Sequence, residues 1–270
     1  MSQTPSYVHG VGPAPLLGLT VDELLQRTVE AHGDSEALVV PHQGVRWSWR
    51  ELRQRVDAAA AGLLAIGLEP RDRVGIWAPN CAEWIVTQFA TARAGLILVN
   101  INPAYRKFEL EYALNRVGCR ALITAASFKS SDYLKMLRDL APEIGARQGR
   151  LRSERLPDLE TVVVLDDGEH DGFLRFSELA ERGGEEGRSR LDEIRPGLQF
   201  DDPINIKFTS GTTGSPKAAT LTHHNIVNNA WLVGERIQLS AKDRLCIPVP
   251  MYHCFGMVLG TLACVAYGST

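Results

Sequence analysis

The stretch TSGTTGSPKAAT, residues 209 to 220, places six hydroxyl side chains, two glycines and one lysine in twelve positions. Such a set suits an anion with several oxygens. Backbone N–H groups of a glycine-rich turn converge on it with no Cβ in the way, hydroxyls add donors, and lysine adds charge. Gly211 and Gly214 allow the turn, Pro216 stiffens its exit, and Lys217 is spaced to reach a phosphate from the rim. Residue order separates this loop from two other phosphate loops. A Walker loop runs GxxxxGK[ST] straight into a helix, whereas here Gly214 is displaced from Lys217, no Ser or Thr follows the lysine, and a β-like AATLT comes next. The dinucleotide fingerprint GxGxxG is absent as well. A plain polar hairpin between INIKF and KAATLT is the alternative that these residues leave open.

The second constellation is VPMYHCFGMVLGT, residues 249 to 261, predicted to join a strand RLCIPVP to an apolar helix beginning near Gly256. A histidine among apolar residues is either a hydrogen-bonded core group or a switchable acid or base, and the residue types leave both readings of His253 open. Farther back, Thr222 is placed to cap the helix HNIVNNAWLV, with His223 and Asn225 filling its first turn and no catalytic role.

The elements that must position these residues alternate in type. Capping boxes at Thr20/Glu23 and Ser48/Glu51 open two helices, the second closed by Gly67. RVGIWAPN reads as a buried strand, with Asn80 placed to cap the helix CAEWIVTQFATARAG. LILVNINP, CRALIT and TVVVLD are further strands, separated by helices ELEYALNRV and SDYLKMLRDL. Strands alternating with helices predict an α/β fold, with a mostly parallel sheet covered on both faces. Between 141 and 156, and from 183 to 196, charge and glycine rise while periodicity fades, which predicts surface excursions within one domain.

Bulk properties narrow the partners. The 270 residues are 44% hydrophobic and 23% charged with a net charge of -3, so there is no broad basic field for nucleic acid and any anion site is a local pocket. Five cysteines without a CxxC pair, mostly in apolar stretches, predict buried reduced thiols. No run approaches the roughly 20 apolar residues of a membrane span. Residues 1–18 carry no charged start for a secretory signal and no arginines for a mitochondrial one, so the expected location is the cytoplasm.

TSGTTGSPKAATLTHHN resembles the signature of the adenylate-forming superfamily, which includes acyl-CoA synthetases, luciferases and peptide-synthetase adenylation domains and usually reads TSGTTGxPKG. The likeness extends through PNCAEWIVTQFATARAGLILVNINPAYR, the EYAL segment to Leu122, LPDLETVVVLD and DDPINIKFTSGTTGSPK, from about Leu19, and is similar to the medium-chain fatty-acyl-CoA synthetase branch. One departure is Ala218, where the family has glycine. The resemblance implies that Thr209, Ser210, Gly211, Thr212, Thr213, Gly214 and Lys217 embrace the ATP phosphates. It also implies that His253 faces the carboxylate and phosphate end, and that Phe255 and Met257 shape the acyl pocket, with Tyr252 and Cys254 as packing.

The implied substrates are a fatty acid, ATP with Mg²⁺, and CoA, joined through an acyl-adenylate. Enzymes of the family run to about twice this length. The expected arrangement is therefore an arm over 1–18 and a partial AMP-binding domain over 19–270, with the acidic metal ligand, ribose-binding Asp and mobile lid beyond residue 270. The expected chain is inactive alone and prone to association through an edge left by truncation. Two alternatives remain: a non-catalytic binding remnant, and an adenylation domain for another carboxylic acid.

Overall fold

The computed structural model describes residues 15–145, 150–209 and 216–270. The first helix, α1 (Val21–His32), precedes a small hairpin of β1 (Glu36–Val40) and β2 (Val45–Ser48), which the sequence reading had not separated. There follow α2 (Trp49–Ala65), β3 (Arg73–Trp77), α3 (Ala82–Arg93), β4 (Ile97–Asn100), α4 (Lys107–Val117) and β5 (Cys119–Thr124). A two-residue ribbon of β6 (Ser127–Phe128) and β7 (Ser131–Asp132) leads into α5 (Tyr133–Leu140) and β8 (Thr161–Val164). Then come β9 (Leu174–Arg175), α6 (Phe176–Arg182), α7 (Gly184–Ile194), β10 (Pro203–Thr209), β11 (Lys217–Thr222), α8 (His223–Arg236) and α9 (Ala263–Tyr267).

Seven strands form one sheet in the order β11-β10-β4-β3-β5-β8-β9, parallel throughout except for the β10–β11 hairpin. This is the α/β architecture expected from the alternation. Two apolar cores lie on opposite faces. One packs α1, α2, α3 and α8 with Val74, Ile76 and Leu98; the other packs α4 and α5 against Trp77, Val99, Leu122 and Ile206. A sheet sandwiched this way explains strands such as TVVV, apolar at successive rather than alternate positions.

Local signals set the helix starts. Thr20 and Glu23, Ser48 and Glu51, and Thr222 and Asn225 each form a reciprocal capping box. Three expectations fail. Asn80 does not cap α3: Cys81 is the N-cap without a side-chain bond, and Gln43 Oε1 accepts the N–H of Ala82 instead. The segment 183 to 196 is largely the helix α7 rather than an excursion. RLCIPVP is not a strand. A strand needs a neighbour for its backbone groups, and here Leu245 N–H donates to Thr270 O at 2.9 Å, with Thr270 N–H donating to Asp243 O at 3.0 Å, as the pairing nearest that stretch. The thiols also divide: Cys119 and Cys264 are buried, but Cys246 and Cys254 are exposed.

Candidate active site at the strand ends

In open parallel sheets, ligands sit beyond the C-terminal ends of the strands. The described ends of the first constellation, Thr209 and Lys217, lie there, as does the second constellation. Strand β10 runs directly into the 209–217 loop, and Thr209 pairs with Lys217 across the hairpin mouth. Ser210, Gly211, Thr212, Thr213 and Gly214 lie outside the described residues. The loop's two ends are well anchored. Phe208 and Ala218 pack against the core on the α4 side, and Tyr112 of α4 donates its hydroxyl to Pro216 O at 3.1 Å. Lys217 is exposed. Ala218 pairs with Phe208 inside β11 and is not among the positive-φ residues, so the methyl that replaces the family's glycine sits in ordinary extended backbone.

The second segment is pinned over the same strand ends by three polar side chains. Asn80, just after β3, donates to Val249 O at 2.9 Å and accepts the N–H of Met251 at 2.8 Å. Asn100, the last residue of β4, is buried, accepts from Asn205 Nδ2 at 3.0 Å, and directs its own amide at Met257 Sδ, 3.4 Å away. Lys207 of β10 donates from Nζ to Tyr252 O at 3.0 Å. The hairpin strand and the histidine segment are thereby in direct contact. Sequence reasoning missed all three: two asparagines and a lysine in or beside apolar strands carry no spacing signal, and only their convergence shows what they do.

From this clamp the chain enters a π-helical run, Phe255–Leu262, before α9. Thr261 Oγ1 donates to Gly256 O at 3.2 Å within it. Stretches of this kind occur often at functional sites because the extra residue per turn displaces side chains from their helical positions. His253 is exposed immediately before it, edge-on to Tyr252 with ring centroids 5.5 Å apart. Phe255 is 60% exposed, whereas Met257 is fully buried among apolar side chains. Cys254 is exposed, so it is not the buried packing residue that the resemblance implied.

Burial dominates the electrostatics of the clamp. Desolvation pulls the Lys207 pKa down to about 8, against the favourable contact with Cys254. Among the described residues, no group of three or more His, Cys, Asp or Glu side chains could hold a metal ion. Beside the clamp lies a mostly apolar cavity of about 420 Å³, walled by Trp49, Ile85, Phe89, Met251 and Cys264 among others. No helix among the described residues is long and apolar enough to cross a membrane.

The profile of the AMP-binding enzyme family matches residues 25–270. The medium-chain acyl-CoA ligase ACSF2, mitochondrial, of Danio rerio is 50% identical over 99% of this chain and 44% of its own length. Its Homo sapiens counterpart is 47% identical over 98% of this chain and again 44% of its own length. The chain thus spans less than half of the curated relatives it matches. In fold, it is similar to the anthranilate CoA ligase AuaEII, solved with anthranoyl-AMP, at a TM-score of 0.78 and 22% identity over 95% of this chain and 45% of that one.

Proposed function

The chain belongs to the AMP-binding enzyme family, and from that premise we propose that it is the phosphate-holding and acid-activating part of an AMP-forming fatty-acid–CoA ligase. The observation that carries the reading is the contact between β10, which leads into the phosphate-type loop, and the segment bearing His253, made by Lys207 on Tyr252 O. The strand that leads into the loop and the histidine segment are thus held together at one end of the sheet.

In the reaction, a carboxylate oxygen attacks the α-phosphorus of ATP, forming the acyl-phosphate bond as pyrophosphate leaves. The thiol of CoA then attacks the acyl carbon and AMP departs. Neither step needs a covalent nucleophile from the protein, so positioning and neutralisation of phosphate charge are the protein's main tasks. The loop, Thr209 through Gly214 with Lys217, holds the ATP phosphates. His253 faces the reacting carboxylate and α-phosphate, while Phe255 and Met257 border the acyl chain. Mg²⁺ would neutralise further phosphate charge. The 270 residues alone are expected to bind phosphate without completing ligation.

Isothermal titration of the chain with ATP tests this. Saturable binding is expected, weakened about tenfold or more by Lys217→Ala because a charge-assisted contact is lost. Absence of ATP binding, or an unchanged Kd in the variant, overturns the loop assignment. Robust acyl-CoA formation by the 270 residues would contradict the division of labour. A panel of fatty and aromatic acids in the titration separates a fatty-acid enzyme from one acting on another carboxylic acid. Strand β11 is an open edge of the sheet, which supports self-association of this chain; sedimentation at two concentrations tests it. For location, the cytoplasm is the reading from the sequence, set against vertebrate relatives named mitochondrial, and imaging of the tagged gene product decides.

A further inference from the structure

Lys207 has a role that the family loop and His253 do not cover. It sits on β10, one strand in from the β11 edge, between Asn100 of β4 and Ala219 of β11, and is only 7% exposed. Buried cations elsewhere in the molecule have carboxylates: Arg53 and Arg93 both bond Asp22 and Asp57. Among the described residues no salt bridge is made by Lys207; its ammonium donates to one carbonyl, Tyr252 O. An ammonium has three donors and a full charge, and burying it without an anion is expensive. A neutral residue of similar length would fill the same space at lower cost. Proteins retain such groups where a ligand completes them.

The position indicates the ligand. Lys207 is two residues before Thr209, where the phosphate-type loop begins, and its Nζ reaches the backbone next to His253. Resting on the ligase reading above, we propose that Lys207 is a substrate-positioning residue whose ammonium holds the carboxylate of the acid substrate. The carboxylate takes donors of the ammonium that the Tyr252 bond leaves free, while that bond keeps Nζ aimed. Burial has already drawn the Lys207 pKa down to about 8, so a carboxylate beside it would favour the charged form.

The test is binding by the 270-residue chain with octanoate and ATP titrated separately, in wild type, Lys207→Met and Lys207→Gln. Octanoate affinity is expected to fall about tenfold or more in both variants while ATP affinity stays within about twofold, since one charge-assisted contact is removed from the acid alone. Reductive methylation of the wild type, read by mass spectrometry, gives a measure independent of how well the variants fold: octanoate is expected to protect Lys207 and ATP is not. Unchanged octanoate binding in folded variants, no saturable octanoate binding by the wild type, or protection by ATP in place of octanoate overturns the assignment. The ATP titration of the wild type keeps the two readings apart. ATP binding with no Lys207 effect on octanoate leaves the ligase reading standing and removes only this one.

Discussion

Nδ1 of His223 accepts the backbone N–H of Val21 at 3.0 Å, joining the first turn of α8 to the first turn of α1 across 202 residues of sequence. The acceptor must be unprotonated. Burial drives the His223 pKa down from 6.5 to about 4, against the pull of Asp202 and Glu23. Between those two values the unfolded chain binds a proton that the folded chain refuses, so stability is full above pH 6.5 and is lost as pH falls toward 4. The shift corresponds to about 3 kcal/mol. Urea denaturation from pH 7.5 to 4.5 checks this: the His223→Gln variant is expected to lose less stability over the range than the wild type, and equal slopes would refute it.

Lys207 has a shift of the same sign in a higher pH window, one in which its charged form is the state present at pH 7. Its pKa falls from 10.5 to about 8 on folding, so the charged side chain costs stability at pH 7 by about 3 kcal/mol, and the cost vanishes as pH rises through that window. Lys207→Met removes this cost but leaves Tyr252 O without its donor, a loss of about 1 kcal/mol. A net gain of about 1–2 kcal/mol is therefore expected at pH 7, shrinking toward pH 10. Chemical denaturation at both pH values measures it, and a destabilised variant at pH 7 would show that the ammonium is better compensated than its neighbours indicate.

Gly62 tests the helix contact behind the sheet. A Cβ there would lie 1.9 Å from the carbonyl oxygen of Leu179, which belongs to the backbone of α6 and cannot swing aside. Gly62→Ala is expected to lower stability by about 3 kcal/mol or more, overriding the roughly 1 kcal/mol that alanine gains over glycine within a helix. Thermal melting decides; an unchanged or raised Tm would mean that α2 and α6 separate easily.

Arg53 is the hub of the buried ion cluster, with Nη1 2.8 Å from Asp22 and Nη2 3.0 Å from Asp57. Arg53→Met would leave the buried Asp22 with only Arg93, 3.6 Å away. A loss of about 3–5 kcal/mol is expected, because a stranded buried carboxylate costs more than the pair contributes. Adding Asp22→Asn should recover part of it; a double variant no more stable than the single one would place the cost elsewhere.

Much of the fold was legible because its signals are short in range. Capping boxes act over three residues, and apolar runs such as TVVV reveal strands buried on both faces without any knowledge of their neighbours. Helix α7 was hidden for a tertiary reason. Gly183 and Gly187 read as loop residues, yet a Cβ on either would strike Ala61 of α2, so they are the close-approach face of a packed helix. Asn80 reads as a cap because asparagine before a helix usually is one; here its amide is taken by Val249 and Met251.

By itself, the sequence determined the α/β alternation, the phosphate-type loop with Lys217, and the family, since these rest on local residue order and spacing. The tertiary structure decided what those parts meet. It brought Asn80, Asn100 and Lys207 from three strand ends onto one segment, exposed His253, buried Met257 and left Lys207 inside without a carboxylate among the described residues. The reason is desolvation: the cost of a charge depends on what surrounds it, and in a parallel sheet those surroundings come from residues far apart in the chain.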